Sequence, residues 1–93
     1  MLLLKRIDFV WSESMFTVYA LYSSKHDKIY IGYTSDIEQR MKSHTVLANK
    51  GWTVKYRPWM LVYYEEFPTK NEAMLREKEL KSHKGRDFIR NKI

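Results

Sequence analysis

A chain of 93 residues can bury one core, so a single compact domain is expected. A hydrophobic content of 44% with 15% aromatics supplies that core, while 30% charged residues and the lack of any apolar run of about 20 residues exclude a membrane-spanning helix. The absence of cysteine excludes a disulfide framework and a thiolate zinc site and makes the cytoplasm the expected location, and a net charge of +6 points to a polyanionic partner.

Met1-Leu2-Leu3-Leu4 is followed at once by Lys5, Arg6 and Asp8, so no uninterrupted apolar stretch suits a signal peptide. Residues 1–14 carry little periodicity, and Met15 directly precedes the first strand pattern. The expectation is an N-terminal extension over 1–14, outside the core, and one domain over 15–93. Phe16 to Tyr22 and Ile29 to Tyr33 are rich in aromatic and β-branched residues and flank the polar cluster Ser23 to Lys28, the pattern of a β-hairpin. If Tyr22 faces Ile29, then Tyr19 lies opposite Gly32 and Leu21 opposite Tyr30, which puts both tyrosines on one face. Gly32 would leave room beside the Tyr19 ring, a reason for glycine at a strand position where it otherwise costs stability.

Ser35-Asp36-Ile37-Glu38 has the form of a capping box, predicting a helix to about Asn49 with Ile37, Met41 and Ala48 as its apolar stripe. Arg40 and His44 are four apart, neighbours on that helix, and can act on one anion together. Gly51 ends the segment. Trp52, Lys55, Tyr56, Arg57 and Trp59 then interleave aromatic and basic side chains, a pattern suited to gripping a nucleic-acid backbone and stacking on bases; core packing accounts for the tryptophans equally well. Trp59 to Phe67 reads as a third strand.

Thr69-Lys70-Asn71-Glu72 is a second capping box, opening a helix whose inward positions are Ala73, Glu77 and Leu80 with Met74 alongside. Glu77 interrupts the apolar face, and a carboxylate placed there needs a cation, a metal or a hydrogen-bond network to meet it. The plain alternative is an ion pair with Lys81, one turn on. Lys84-Gly85 is expected to break the helix, leaving a short basic tail of one or two turns. Residues 78–93 hold +4 of the net charge, suited to phosphate contacts or, equally, to a solvated face.

Taken together these residues resemble the GIY-YIG nuclease superfamily, in its small stand-alone bacterial form, from about Met15 to the end. The tyrosine closing the family's first motif falls on Tyr19 within Thr17-Val18-Tyr19, with Thr17 replacing the usual glycine, and the second motif stands as Tyr30-Ile31-Gly32. The family's helix arginine falls on Arg40, its following histidine or tyrosine position on His44 and its glutamate on Glu77. The late polar position, commonly asparagine, is unmatched: Ile89 stands near its place and Asn91 slightly beyond.

The resemblance implies an α+β fold, a small three-stranded antiparallel sheet flanked by helices. It further implies an endonuclease that hydrolyses phosphodiester bonds, most naturally in DNA, with one divalent ion, Mg2+ or Mn2+, held by Glu77. Tyr19 would be the general base, as phenolate or by relay; Tyr30 would position water or phosphate; Arg40 would clamp the non-bridging oxygens; His44 would reach the same phosphate or tune Tyr19. So small a module has little surface for reading a long sequence, which favours structure-selective cleavage in repair, recombination or processing. The rival reading is a nucleic-acid-binding module that has lost the chemistry. A partner protein or a second copy is left open, with the apolar leader or the segment around Trp59 as its docking surface.

Overall fold

The two aromatic runs pair as the hairpin pattern predicts. The computed structural model describes residues 15–47 and 50–93; the expectations placed on residues 1–14, on Ala48 and on the helix end at Asn49 lie outside the described residues. Strand β1 (Phe16–Ser23) and strand β2 (Lys28–Thr34) are antiparallel with Tyr19 opposite Gly32, Leu21 opposite Tyr30 and Tyr22 opposite Ile29. The loop is shorter than the six polar residues suggested, because Ser23 and Lys28 also pair. Asp27 takes the left-handed conformation (φ 53°) that closes the turn, a region asparagine and aspartate tolerate better than most residues. Its carboxylate accepts from the Tyr22 hydroxyl at 3.0 Å and from Arg90 at 2.9 Å, tying the loop to the C-terminal helix.

Strand β3 (Met60–Phe67) pairs with the other side of β1, so the sheet order is β2-β1-β3, all antiparallel. Pairing runs Ala20 with Tyr63 but Leu21 with Leu61, so Val62 is an extra residue and the strand bulges there. Central β1 is covered on both faces, and that explains its nearly unbroken apolar and aromatic run. One face packs Val18, Ala20, Ile29 and Ile31 against Ala73, Leu80 and Ile89; the other gathers Tyr19, Leu21 and Trp59, flanked by Tyr30, Ile37 and Met41.

Helix α1 (Ile37–Lys42) starts one residue later than the capping box implied. Asp36, not Ser35, is the N-cap, accepting from the Gln39 amide at 3.1 Å, while the Asp36 amide donates to Thr34. The expected continuous helix changes character after Lys42, where Ser43–Leu47 winds as a π-helical turn. Two side chains account for the widening. Thr45 Oγ1 donates to the Met41 carbonyl at 2.8 Å, competing for a regular α-helical acceptor, and Arg57 takes the carbonyls of His44 and Ser43 at 2.7 and 3.1 Å. Short helix α2 (Trp52–Lys55) follows, and Trp59 is tied to it by Nε1 donating to the Thr53 carbonyl at 2.6 Å.

Helix α3 (Lys70–Lys81) is capped by Thr69, whose hydroxyl accepts from the Glu72 amide at 3.2 Å, as the second capping box requires. Ala73 and Leu80 are buried as predicted, but Met74 and its neighbour Leu75 face outward. Arg76 pins the helix to β3 through Glu65 at 2.9 Å, while Tyr63 donates to the same carboxylate. The break comes at Ser82 and not at Lys84-Gly85, and Gly85 lies inside helix α4 (His83–Arg90). Glycine serves close approach there: a Cβ would stand 2.2 Å from the Glu79 carbonyl oxygen and 2.4 Å from the Leu80 Cα, so the α3–α4 corner admits no side chain. The basic tail is therefore two turns of packed helix, with Ile89 fully buried.

Candidate active site

Each sheet face supplies part of the site, and the parts meet at the β2 edge. The glycine gap predicted at position 32 is real. A Cβ there would lie 2.7 Å from the Tyr19 hydroxyl oxygen, 2.9 Å from its Cζ and 3.0 Å from the Tyr30 ring, so the two tyrosines close over a bare backbone. Their ring centroids are 6.1 Å apart, and His44 packs against both, 5.8 Å from Tyr19 and 4.8 Å from Tyr30. His44 Nε2 lies 2.8 Å from the Tyr19 hydroxyl in a buried hydrogen bond.

Burial sets the protonation of this pair. It pushes the Tyr19 phenol well above its ordinary value of 10.0, with Tyr30 adding to the rise and Arg40 opposing it. The same burial, reinforced by the charges of Arg40 and Arg57, holds His44 below 6.5. Near neutral pH the phenol keeps its proton and the imidazole is uncharged, so Tyr19 donates and His44 Nε2 accepts. Tyr19 has none of its surface exposed and lies behind the reactive cleft instead of in it.

The cleft itself, of about 430 Å³, is lined by Tyr30, Gly32, Arg40 and Glu77, with Ser35 and Lys70 among the polar residues at its walls. Arg40 and Tyr30 come from one face of the sheet, and Glu77 reaches round the β2 edge from α3 on the other. Of the five predicted site residues the structure thus brings Tyr30, Arg40 and Glu77 to one opening and sets Tyr19 and His44 directly behind them. Glu77 also makes the ordinary contact foreseen for it, an ion pair with Lys81 at 3.4 Å. Lys70 was missed by the sequence reading. Its signal was available: it begins the helix and stands seven residues, two turns, before Glu77, hence on the same side.

The aromatic and basic segment divides in space. Trp59 itself is buried and joins the core, whereas Trp52 is 48% exposed. Arg57, expected at a nucleic-acid surface, instead braces the π turn that carries His44. The basic tail is divided too: Arg90 meets Asp27, Lys92 lies 4.7 Å above the Phe88 ring, Lys78 lies beside Met74 and Leu75, and Lys81 and Arg86 line a groove next to Tyr30.

Among the described residues no three His, Cys, Asp or Glu side chains converge as a metal cage. A tightly enclosed transition metal therefore has no donor set there. A lone carboxylate at an open cleft does fit a hard ion that keeps most of its waters and takes phosphate oxygens as further ligands. Glu77 would hold such an ion.

The Tyr-Ile-Gly edge strand, a helix arginine and a helix glutamate line one cleft with the central-strand tyrosine behind it, and the family comparison gives this arrangement its class. The model of the GIY-YIG catalytic domain matches residues 15–92, and the chain belongs to that family, whose membership implies nuclease activity on nucleic acid and a general use of divalent metal. The chain is similar to the UPF0213 protein of Staphylococcus haemolyticus, 41% identical over 58 residues that span 62% of this chain and 71% of the relative. It is 45% identical to the UPF0213 protein of Staphylococcus saprophyticus over 62 residues, with the same coverage. The solution NMR structure of a UPF0213 protein from Bacillus halodurans superimposes with a TM-score of 0.51 at 31% identity, covering 83% of each chain. The three-stranded antiparallel sheet with its helices thus matches the fold of that solved relative. No helix among the described residues is long and apolar enough to cross a membrane.

Proposed function

We propose that this protein is a divalent-metal-dependent endonuclease acting on DNA, structure-selective, and serving repair, recombination or processing in the cytoplasm. The observation that supports it best is the cleft shared by Tyr30, Arg40 and Glu77 with Lys70 at its wall. Two cations and one carboxylate there match a phosphodiester and a hard metal ion.

Arg40 presents a planar fork to the non-bridging oxygens, where negative charge gathers as the pentacovalent state forms, and this is the interaction expected to strengthen most on the way to it. Lys70 adds a point charge for the flanking phosphate. Glu77, paired with Lys81 here, would hold Mg2+ or Mn2+, and such an ion would offset charge on the phosphate and on the leaving oxygen. Tyr30 is the phenol at the cleft wall, positioned to orient the attacking water.

Deprotonation of that water is assigned to a relay. The Tyr30 ring lies 6.1 Å from that of Tyr19, centroid to centroid, and the Tyr19 hydroxyl is hydrogen-bonded to a neutral His44. A proton taken from water by the Tyr30 oxygen would be matched by one passed from Tyr30 to Tyr19, a step that requires the two hydroxyls to close on each other, and one from Tyr19 to His44 Nε2 along the 2.8 Å bond already made, leaving hydroxide at phosphorus and an imidazolium in the protein. Neither phenol needs to ionise fully, which suits a Tyr19 whose phenol is pushed up instead of down. Tyr19 as a free phenolate base has no support in this environment.

The second reading, a binding module that has lost the chemistry, draws on one observation, the complete burial of Tyr19. Labelled branched, flap, nicked, duplex and single-stranded DNA and RNA, incubated with Mg2+, Mn2+ or chelator, separate the two. Metal-dependent cutting that disappears in Glu77→Ala and Arg40→Ala supports the nuclease. Salt-sensitive binding without cutting by the wild type supports the binding module.

A further inference from the structure

Tyr30 is the wall between two cavities. On one side lies the candidate active cleft; on the other, a groove of about 380 Å³ is lined by Ile29, Tyr30, Ile31, Trp52, Lys81 and Arg86. That volume falls in the range of small-ligand sites, about 300–1,000 Å³. The groove has an aromatic wall, an aliphatic floor from the β2 edge and two cations on the helical side.

Trp52 is the unusual member. A tryptophan in a chain this short is normally spent on the core, as Trp59 is, yet Trp52 keeps 48% of its surface exposed. It is nevertheless held in place, since its ring lies 6.2 Å from Tyr30 at an interplanar angle of 31°, 5.8 Å from Trp59 at 34° and 4.8 Å from Tyr56. An exposed ring braced from behind by three others has little rotamer entropy left to lose on binding. The row of aromatics starts at the active cleft and leads outward. Lys28 and Lys55 flank its outer end, 5.3 and 5.6 Å from the Tyr56 ring, and Lys81 and Arg86 flank its inner end.

We infer that this groove binds an unpaired nucleotide of a single strand, its base stacked on Trp52 and its phosphates held by Lys81 and Arg86, next to the phosphodiester in the active cleft. A flat π surface bordered by cations fits a base with its attached phosphate and does not fit a paired base, whose faces are already covered by its neighbours in the stack. Stacking of this kind tolerates any base, so the groove would select strand structure and not sequence. The inference deepens the nuclease reading, on which its choice of nucleic acid as ligand rests, by naming the substrate feature that draws the enzyme to a site.

The test is fluorescence anisotropy with labelled oligothymidylate of about 12 nucleotides, a length within the range such grooves cover, and with a blunt duplex of equal length, both in chelator so that nothing is cut. Single-strand binding is expected to weaken about tenfold in Trp52→Ala, from the usual loss of one stacked base, with duplex affinity within about twofold of wild type and most of the single-strand affinity kept in Trp52→Phe. Lys81→Ala combined with Arg86→Ala should lower the salt dependence of single-strand binding by about two counterions. Equal loss of both ligands in Trp52→Ala, or no loss of either, overturns the inference, as does a Trp52→Phe variant no better than alanine. The two readings fail separately. Trp52-dependent single-strand binding by a protein that never cuts keeps the groove and removes the nuclease, whereas metal-dependent cutting with binding indifferent to Trp52 does the reverse.

Discussion

Gly32→Ala tests the geometry of the site with a single methyl group. The new Cβ would come within 2.7 and 2.9 Å of Tyr19 and 3.0 Å of Tyr30, closer than non-bonded carbons and oxygens approach. Tyr19 has no exposed surface into which to retreat, and moving its hydroxyl breaks the 2.8 Å bond to His44. Overpacking of this sort costs about 1–3 kcal/mol, against roughly 0.4–1 kcal/mol returned by the stiffer unfolded chain. A net loss of about 1–2 kcal/mol follows, which at a urea slope near 1 kcal/mol per molar lowers the unfolding midpoint by about 1–2 M. Cleavage at a temperature where the variant remains folded should fall further than stability alone explains, because the displaced phenol no longer meets His44. Tyr19→Phe removes the nearest clashing atom, so the double variant should lose less stability than the two single losses added together. An alanine variant as stable and as active as wild type would refute the close packing and the relay built on it.

Glu77→Gln should abolish metal-dependent cleavage while changing stability by less than about 1 kcal/mol, since the ion pair its carboxylate makes among the described residues is the partly exposed one with Lys81; activity assays and urea unfolding in parallel check this. His44 gives a pH signature. Its folded value is depressed below the 6.5 of the free imidazole, so once pH drops below that value the unfolded chain binds the extra proton first, and stability falls as pH falls through this range toward the folded value. Urea unfolding at pH 8 and pH 5 should therefore show a smaller drop for His44→Gln than for wild type. Arg57→Gln removes both a nearby charge and the brace on the π turn, so the acid limb of its pH–rate profile should move toward higher pH and its maximal rate should drop; an unshifted limb would count against a protonatable His44 in the relay. Gly85→Ala, whose Cβ would meet α3 backbone and no flexible side chain, should cost at least about 2 kcal/mol in urea unfolding.

Much of the fold is a local matter and was legible in the chain. The two runs rich in aromatic and β-branched residues, Phe16 to Tyr22 and Ile29 to Tyr33, on either side of a polar loop specify the hairpin, and one register assumption placed Tyr19 against Gly32 correctly, because a slip by one residue would turn every side chain to the other face. Thr69 and Glu72 start α3 through contacts only three residues apart. The motif residues Tyr19, Tyr30, Arg40, His44 and Glu77 could likewise be named from spacing and resemblance.

What tertiary structure alone decided is where those residues face. Periodicity says that Tyr19 is inward, but only the two-sided covering of β1 seals it behind Tyr30, and the burial that results holds its proton on. The π turn depends on Arg57 reaching back across 13 residues to the His44 carbonyl, a long-range contact to which no local pattern responds. The helix break fell at Ser82 instead of Gly85 because the glycine answers the backbone of another helix and not its own turn. Trp52 and Trp59 are chemically identical and seven residues apart; packing buries one and leaves the other at the surface, for burial is a property of the assembled layers and not of the residue.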